Sequence, residues 1–308
     1  MLVRRYKKLT AIFTFFSIAY IMLSILLPVD KTALVKYHID RAQLVGLTLT
    51  VTIPYLIIWF IALVGYLGLR SYNYTIRKSK DGKAFLPLTR GVFVLALWLP
   101  ISALADVLGT AYYRAHPSAS ATMVILNNYL NLLILFTGFW LIYKGSKRML
   151  AIIRKPELSL PWSIMFAYIL FASFYTFLVL RDPARQFPNH HVLVASYYLP
   201  DWLTMVTVVI PRLITWFIGV QATYNIYLYG KYVKGLLYQE ALSNLARGIA
   251  GVVLSVVALR CFQSLSIQLY DLSLASILLV VYLLLVLISI GYIFIAQGAH
   301  KLQQIEEI

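Results

Sequence analysis

Residues 274–297 read LASILLVVYLLLVLISIGYIFIAQ, an uncharged apolar run long enough to cross a bilayer as one helix. Such a run dictates the solvent. In hydrocarbon every backbone N–H and C=O must be bonded within the protein, which leaves helices and closed barrels as the only spanning structures. Barrel strands are shorter and alternate in polarity, so continuous apolar runs of about 20 residues select the helix. Eight of them stand near residues 10 to 29, 44 to 69, 91 to 113, 121 to 143, 160 to 180, 202 to 229, 245 to 266 and 274 to 297. They take up most of the 308 residues, and hydrophobic residues make up 61% of the chain. The expected class is an all-α integral membrane protein with eight transmembrane helices. The first run follows MLVRRYKK but exceeds a signal-peptide core and has no A-x-A site after it, so it reads as an uncleaved helix.

Basic residues set the orientation. With the N-terminus taken as cytoplasmic, Lys and Arg number nineteen on that side and six on the other, with Arg212 and Arg260 inside runs. The imbalance satisfies the positive-inside rule and places both termini in the cytoplasm of a cell membrane. The formal net charge of +16 is then a topology signal and an attraction for anionic lipid headgroups, and argues against nucleic acid as partner. Cys261 is the sole cysteine, so there is no internal disulfide.

The chain is also written twice. TVTIPYLIIWFI at residues 50–61 returns as TVVIPRLITWFI at 207–218, and a shift of 157 aligns 50–91 with 207–248 without a gap. Pro54 meets Pro211, Trp59 meets Trp216, and the Arg-Gly pair at 90–91 meets that at 247–248. A shift of 153 aligns the fourth run with the eighth, pairing Gly138 with Gly291 and Gly145 with Gly298. The expected organisation is a duplicated four-helix unit, residues 1–155 and 156–308. An even number of spans per unit makes the repeats parallel, as in the halves of some transporters.

Polar residues inside the runs are few. Asp106, Arg212 and Arg260 are ionisable groups in apolar runs, costly to insert and therefore functional candidates. Asn127, Asn128 and Asn131 in the fourth run and Gln263 in the seventh fall at a similar depth, toward the exterior. One reading is an outward-facing substrate site of Asp106, Arg212, Arg260, Asn127, Asn131 and Gln263, with surplus positive charge for an anionic solute. The other is structural: an Asp106–Arg212 ion pair, a snorkelling Arg260 and asparagines bonding helix to helix. Pro54 and Pro211 are expected to kink or break corresponding helices, as hinges. The basic, aromatic stretches 71–91 and 229–248 read as cytoplasmic connections, the second with the spacing of a short interfacial helix. Tyr224, Tyr227, Tyr229 and Tyr232 read as an interfacial aromatic belt.

No histidine or lysine lies well inside a run, which leaves haem, copper and retinal sites without ligands, and no cofactor is expected. H-E-x-x-H, G-x-S-x-G and P-loop motifs are missing, so an enzyme is not expected either. The expected function is a transporter or permease for a small anionic or amphiphilic solute, bound between the repeats. The alternative is a non-catalytic membrane subunit, sensor or scaffold acting through a membrane protein partner.

Overall fold

The computed structural model describes residues 11, 13–22, 41–115, 120–153, 159–181, 202, 205–233, 235–268 and 274–305. Among them the chain forms helices α1 (Phe13–Met22), α2 (Arg41–Ile76), α3 (Lys80–Ala115), α4 (Ser120–Ile152), α5 (Trp162–Arg181), α6 (Ile210–Tyr232), α7 (Leu236–Gln268) and α8 (Leu274–Gln304), and no strand. A π-helical turn, Met205–Val209, leads directly into α6. Six segments are long and apolar enough to cross a membrane: Leu49–Ile76, Lys80–Ser102, Trp162–Leu180, Met205–Tyr232, Leu236–Phe262 and Leu278–Gln304. The chain is therefore an all-helical, multi-pass protein.

Two supposed connections turn out to be helix. α3 and α7 start at Lys80 and Leu236, so most of each basic stretch forms the first turns of a long helix, with no separate interfacial helix. The reason is an amphipathic period that continues past the apolar run: Ala84, Phe85 and Leu88 are buried while Lys80, Lys83 and Arg90 are exposed. Only 77–79 joins α2 to α3. Ser79 there caps α3, its Oγ accepting the Gly82 N–H at 3.0 Å. The second turn passes through Gly235, whose φ of +111° favours glycine.

The six helices α2, α3, α4, α6, α7 and α8 close a ring, each packed against the next and α8 against α2. α1 and α5 lie outside it. Phe13 and Phe16 of α1 pack on Trp59, with ring centroids 4.9 and 5.2 Å away, while Phe171 and Tyr175 of α5 pack on Trp216 at 5.7 and 4.8 Å. The outer faces are apolar at helical spacing, as in Leu279, Leu283, Val286, Ile290 and Ile293 of α8, which suits lipid.

Glycine sets how closely the ring packs. A Cβ on Gly91 would lie 2.6 Å from the carbonyl oxygen of Gly138, and one on Gly145 would lie 2.8 Å from the Leu88 nitrogen. These contacts pin α3 to α4. A Cβ on Gly248 would lie 2.7 Å from the Gly291 oxygen and one on Gly298 2.7 Å from the Ala241 oxygen, which pins α7 to α8 in the same manner. Small residues allow this approach, and backbone proximity replaces the hydrophobic drive that lipid cannot supply.

Three prolines lie inside continuous helices. α2 runs through Pro54, and α3 through Pro87 and Pro100. Each proline frees the carbonyl four residues back. Arg148 donates to the carbonyl freed by Pro87, that of Lys83, at 3.4 Å. Around Pro100, Tyr55 Oη donates to Leu99 O at 2.6 Å and Tyr292 Oη to Leu95 O at 2.8 Å.

Candidate functional site

One end of the ring gathers the C-termini of α2, α4, α6 and α8 with the N-termini of α3 and α7. The contacts there show it: Tyr229 Oη donates to Asp81 Oδ1 at 3.3 Å, Asn73 Nδ2 donates to Gly82 O at 2.9 Å, and Lys301 pairs with Glu240. Three tyrosines cluster at this basic end. Tyr229 meets Tyr238 edge-on at 6.4 Å, and the Tyr238 hydroxyl lies beside those of Tyr72 and Tyr229. Tyr72 and Tyr229 are buried, so Tyr229 belongs to the interior, whereas Tyr227 and Tyr232 are exposed as belt residues are.

The ionisable and amide residues singled out in the sequence lie toward the opposite end. Arg212 is half-buried near the start of α6 and donates to Tyr175 Oη of α5 at 2.7 Å. Asn131 of α4 is buried and accepts from Trp98 Nε1 of α3 at 2.9 Å. That contact bonds helix to helix within the first half. Arg260 is half-buried on α7. Asp106 on α3, Asn127 on α4 and Gln263 on α7 are placed on their helices, and their side chains lie outside the described residues.

The two prolines behave differently. Pro54 sits inside an unbroken α2, but Pro211 follows the π-helical turn and stands in the first turn of α6. Thr215 Oγ1 donates back to Pro211 O at 2.7 Å, a bond that tends to bend helices. Tyr168 Oη of α5 reaches the neighbouring Leu213 O. The π-turn thus lies beside Arg212, and π-turns occur often at functional sites.

Sequence reasoning passed over a second polar group. Between α4 and α6, Gln221 Nε2 donates to Asn225 Oδ1 at 3.1 Å, Asn225 Nδ2 donates to Ser146 Oγ at 3.4 Å, and Ser146 Oγ donates to Tyr143 O at 2.8 Å. All three side chains are buried. Between α2 and α8 small apolar residues meet: a Cβ on Gly68 would lie 2.9 Å from that of Ala299. The signal was available in the alignment of the chain with itself, where Val64, Gly68 and Ala299 stand opposite Gln221, Asn225 and Ser146.

Buried neutral amides and a hydroxyl can hydrogen-bond a solute or each other, and Arg212 supplies positive charge at another level of α6. No protein-family model, curated protein or solved structure matches the chain.

Proposed function

We propose that the chain is a membrane transporter or permease for a small anionic or amphiphilic solute, made of two parallel four-helix repeats, residues 1–155 and 156–308, with the solute site between them. The repeat reading is supported by contacts that recur at the sequence shifts. Gly91 on Gly138 corresponds to Gly248 on Gly291, and Trp59 under α1 corresponds to Trp216 under α5. The basic end faces the cytoplasm in this reading, as the positive-inside rule requires.

The observation that carries the transport reading is the inequality of the two seams between the halves. α2 meets α8 through Gly68 and Ala299, while α4 meets α6 through Ser146, Asn225 and Gln221. A scaffold needs no buried polar seam, since small-residue packing already holds the equivalent one. Above it, Arg212, Arg260 and Asp106 would attract and orient the anionic group, with Asn127, Asn131 and Gln263 at the same depth, Asn131 bonded to Trp98 within the first half.

The test is uptake by proteoliposomes offered labelled phosphate, sulfate, carboxylates and amphiphilic anions. Saturable uptake of one class is expected, and Arg212→Leu and Asp106→Asn should abolish it while remaining monodisperse. Wild-type uptake in both variants would overturn the site. No uptake of any class, with a stoichiometric membrane protein partner retained after mild extraction, would replace transport with the subunit role.

A further inference from the structure

The two halves carry charge very differently at the basic end. In the second half Glu240, near the start of α7, forms an ion pair with Lys301 near the end of α8. The residues 157 and 153 positions earlier are Lys83 and Arg148, on α3 and α4. Arg148 is again held against its neighbour, here by donating to the Lys83 carbonyl at 3.4 Å. A carboxylate opposite a cation has thus become two cations, both exposed.

Among the described residues the surroundings add more positive charge than negative. Arg70, Arg77, Lys78, Lys80, Arg90, Lys144 and Lys147 are also exposed on this side of the ring. Among the described residues the carboxylates at this end are Asp81 and Glu240, which meet Tyr229 and Lys301. Like charges at fixed positions repel, and holding Arg148 on α3 keeps them together. Arg77 lies over the Tyr74 ring at 4.8 Å and Lys147 over Tyr143 at 5.8 Å. A cation steadied on an aromatic ring at the edge of an apolar bundle sits where headgroups lie.

We propose that the basic end of α2, α3 and α4 is a binding site for the phosphate headgroup of an anionic phospholipid, centred on Lys83 and Arg148. The phosphate takes the place that Glu240 fills in the second half. The planar Arg148 guanidinium offers paired N–H donors to phosphate oxygens and Lys83 adds a point charge. The acyl chains lie along the apolar outer surface of the bundle. The site is separate from the one proposed for transport and is tested separately.

The experiment is native mass spectrometry of the purified full chain, titrated with phosphatidylglycerol, phosphatidylcholine or inorganic phosphate. Retention of phosphatidylglycerol over phosphatidylcholine is expected. Lys83→Glu recreates the arrangement of the second half and should fold normally, with thermal stability no lower than that of wild type. It changes the site by two charges and should weaken phosphatidylglycerol retention by about 25-fold, at about fivefold per basic residue near an anionic surface. Glu240→Lys should do the reverse and add a bound phosphatidylglycerol. Equal retention in wild type and a folded Lys83→Glu would overturn the proposal. So would saturation by inorganic phosphate with no preference between the two lipids, which would make the ligand a free anion.

Discussion

Replacing Gly91 with alanine tests how the ring is held together. The new Cβ would lie 2.6 Å from the Gly138 carbonyl oxygen and 2.9 Å from the Ile142 nitrogen, backbone atoms that no rotamer change can move. To reach the 3.4 Å of ordinary contact, α3 and α4 must separate by most of an ångström at their closest point. A gap of about 0.5–1 Å forfeits a quarter to a half of each pairwise dispersion well along the crossing, and overpacking of this kind costs about 1–3 kcal/mol. In water, alanine would recover about 1 kcal/mol of helix propensity over glycine. In a bilayer the dissociated helices stay helical, so that gain cancels between the states. Gly248→Ala should cost a similar amount, because its Cβ would lie 2.7 Å from the Gly291 oxygen. Gly46→Ala is the control, since nothing among the described residues lies within 4 Å of that position. Reversible unfolding of the detergent-solubilised protein by SDS, followed by tryptophan fluorescence, reads all three. Gly91→Ala as stable as wild type, or Gly46→Ala as damaged as Gly91→Ala, would refute the view that backbone approach at glycine pairs sets the packing.

Asn131→Ala removes the acceptor of the buried Trp98 Nε1 and should cost about 0.6–1.7 kcal/mol, the range for interhelical hydrogen bonds in membranes, with a shift in tryptophan emission as the indole changes surroundings. The triple variant Ser146→Ala with Gln221→Val and Asn225→Gly copies the α2–α8 seam into the α4–α6 seam. It should fold with nearly unchanged thermal stability and lose solute uptake, and full uptake would remove the polar seam from the transport pathway.

The helical class and six of the eight expected spans were legible because bilayer insertion writes itself into sequence as length and apolarity. The starts of α3 and α7 were not. Lys80, Lys83 and Arg90 broke the apolar runs, although charged residues on the outer face of a helix are compatible with its continuing. Pro54 lies inside a continuous α2, whereas Pro211 follows a π-turn that no residue type announces. Of the site, the depth of Arg212 was visible and its tyrosine partner was not, because Tyr175 belongs to a peripheral helix whose docking depends on Trp216. The seam of Ser146 and Asn225 escaped for a different reason. Small polar residues pass as neutral in a hydropathy count, and become conspicuous only when the opposite copy holds alanine and glycine.

That contrast bears on how such a ring could work. Six helices closed on themselves have no free edge, so under the proposed transport cycle a path between the halves requires one seam to part while the other holds. Separating α2 from α8 would expose the apolar contact of Gly68 with Ala299, at about 25 cal/mol for each Å² presented to water, with no hydrogen bond gained. Separating α4 from α6 would expose Ser146, Asn225 and Gln221, each of which water or a polar solute can bond as readily as the protein does. The contacts given up there are the packing of Phe139 on Gly219 and a 3.4 Å bond between neutral groups, of a kind that averages about 0.6 kcal/mol in membranes. Hydration offsets the loss of the polar groups of the α4–α6 seam and has no counterpart at Gly68 and Ala299. Under the proposed cycle this asymmetry favours a pivot at α2 and α8 and an opening at α4 and α6, the latter helix following the π-turn and carrying Arg212.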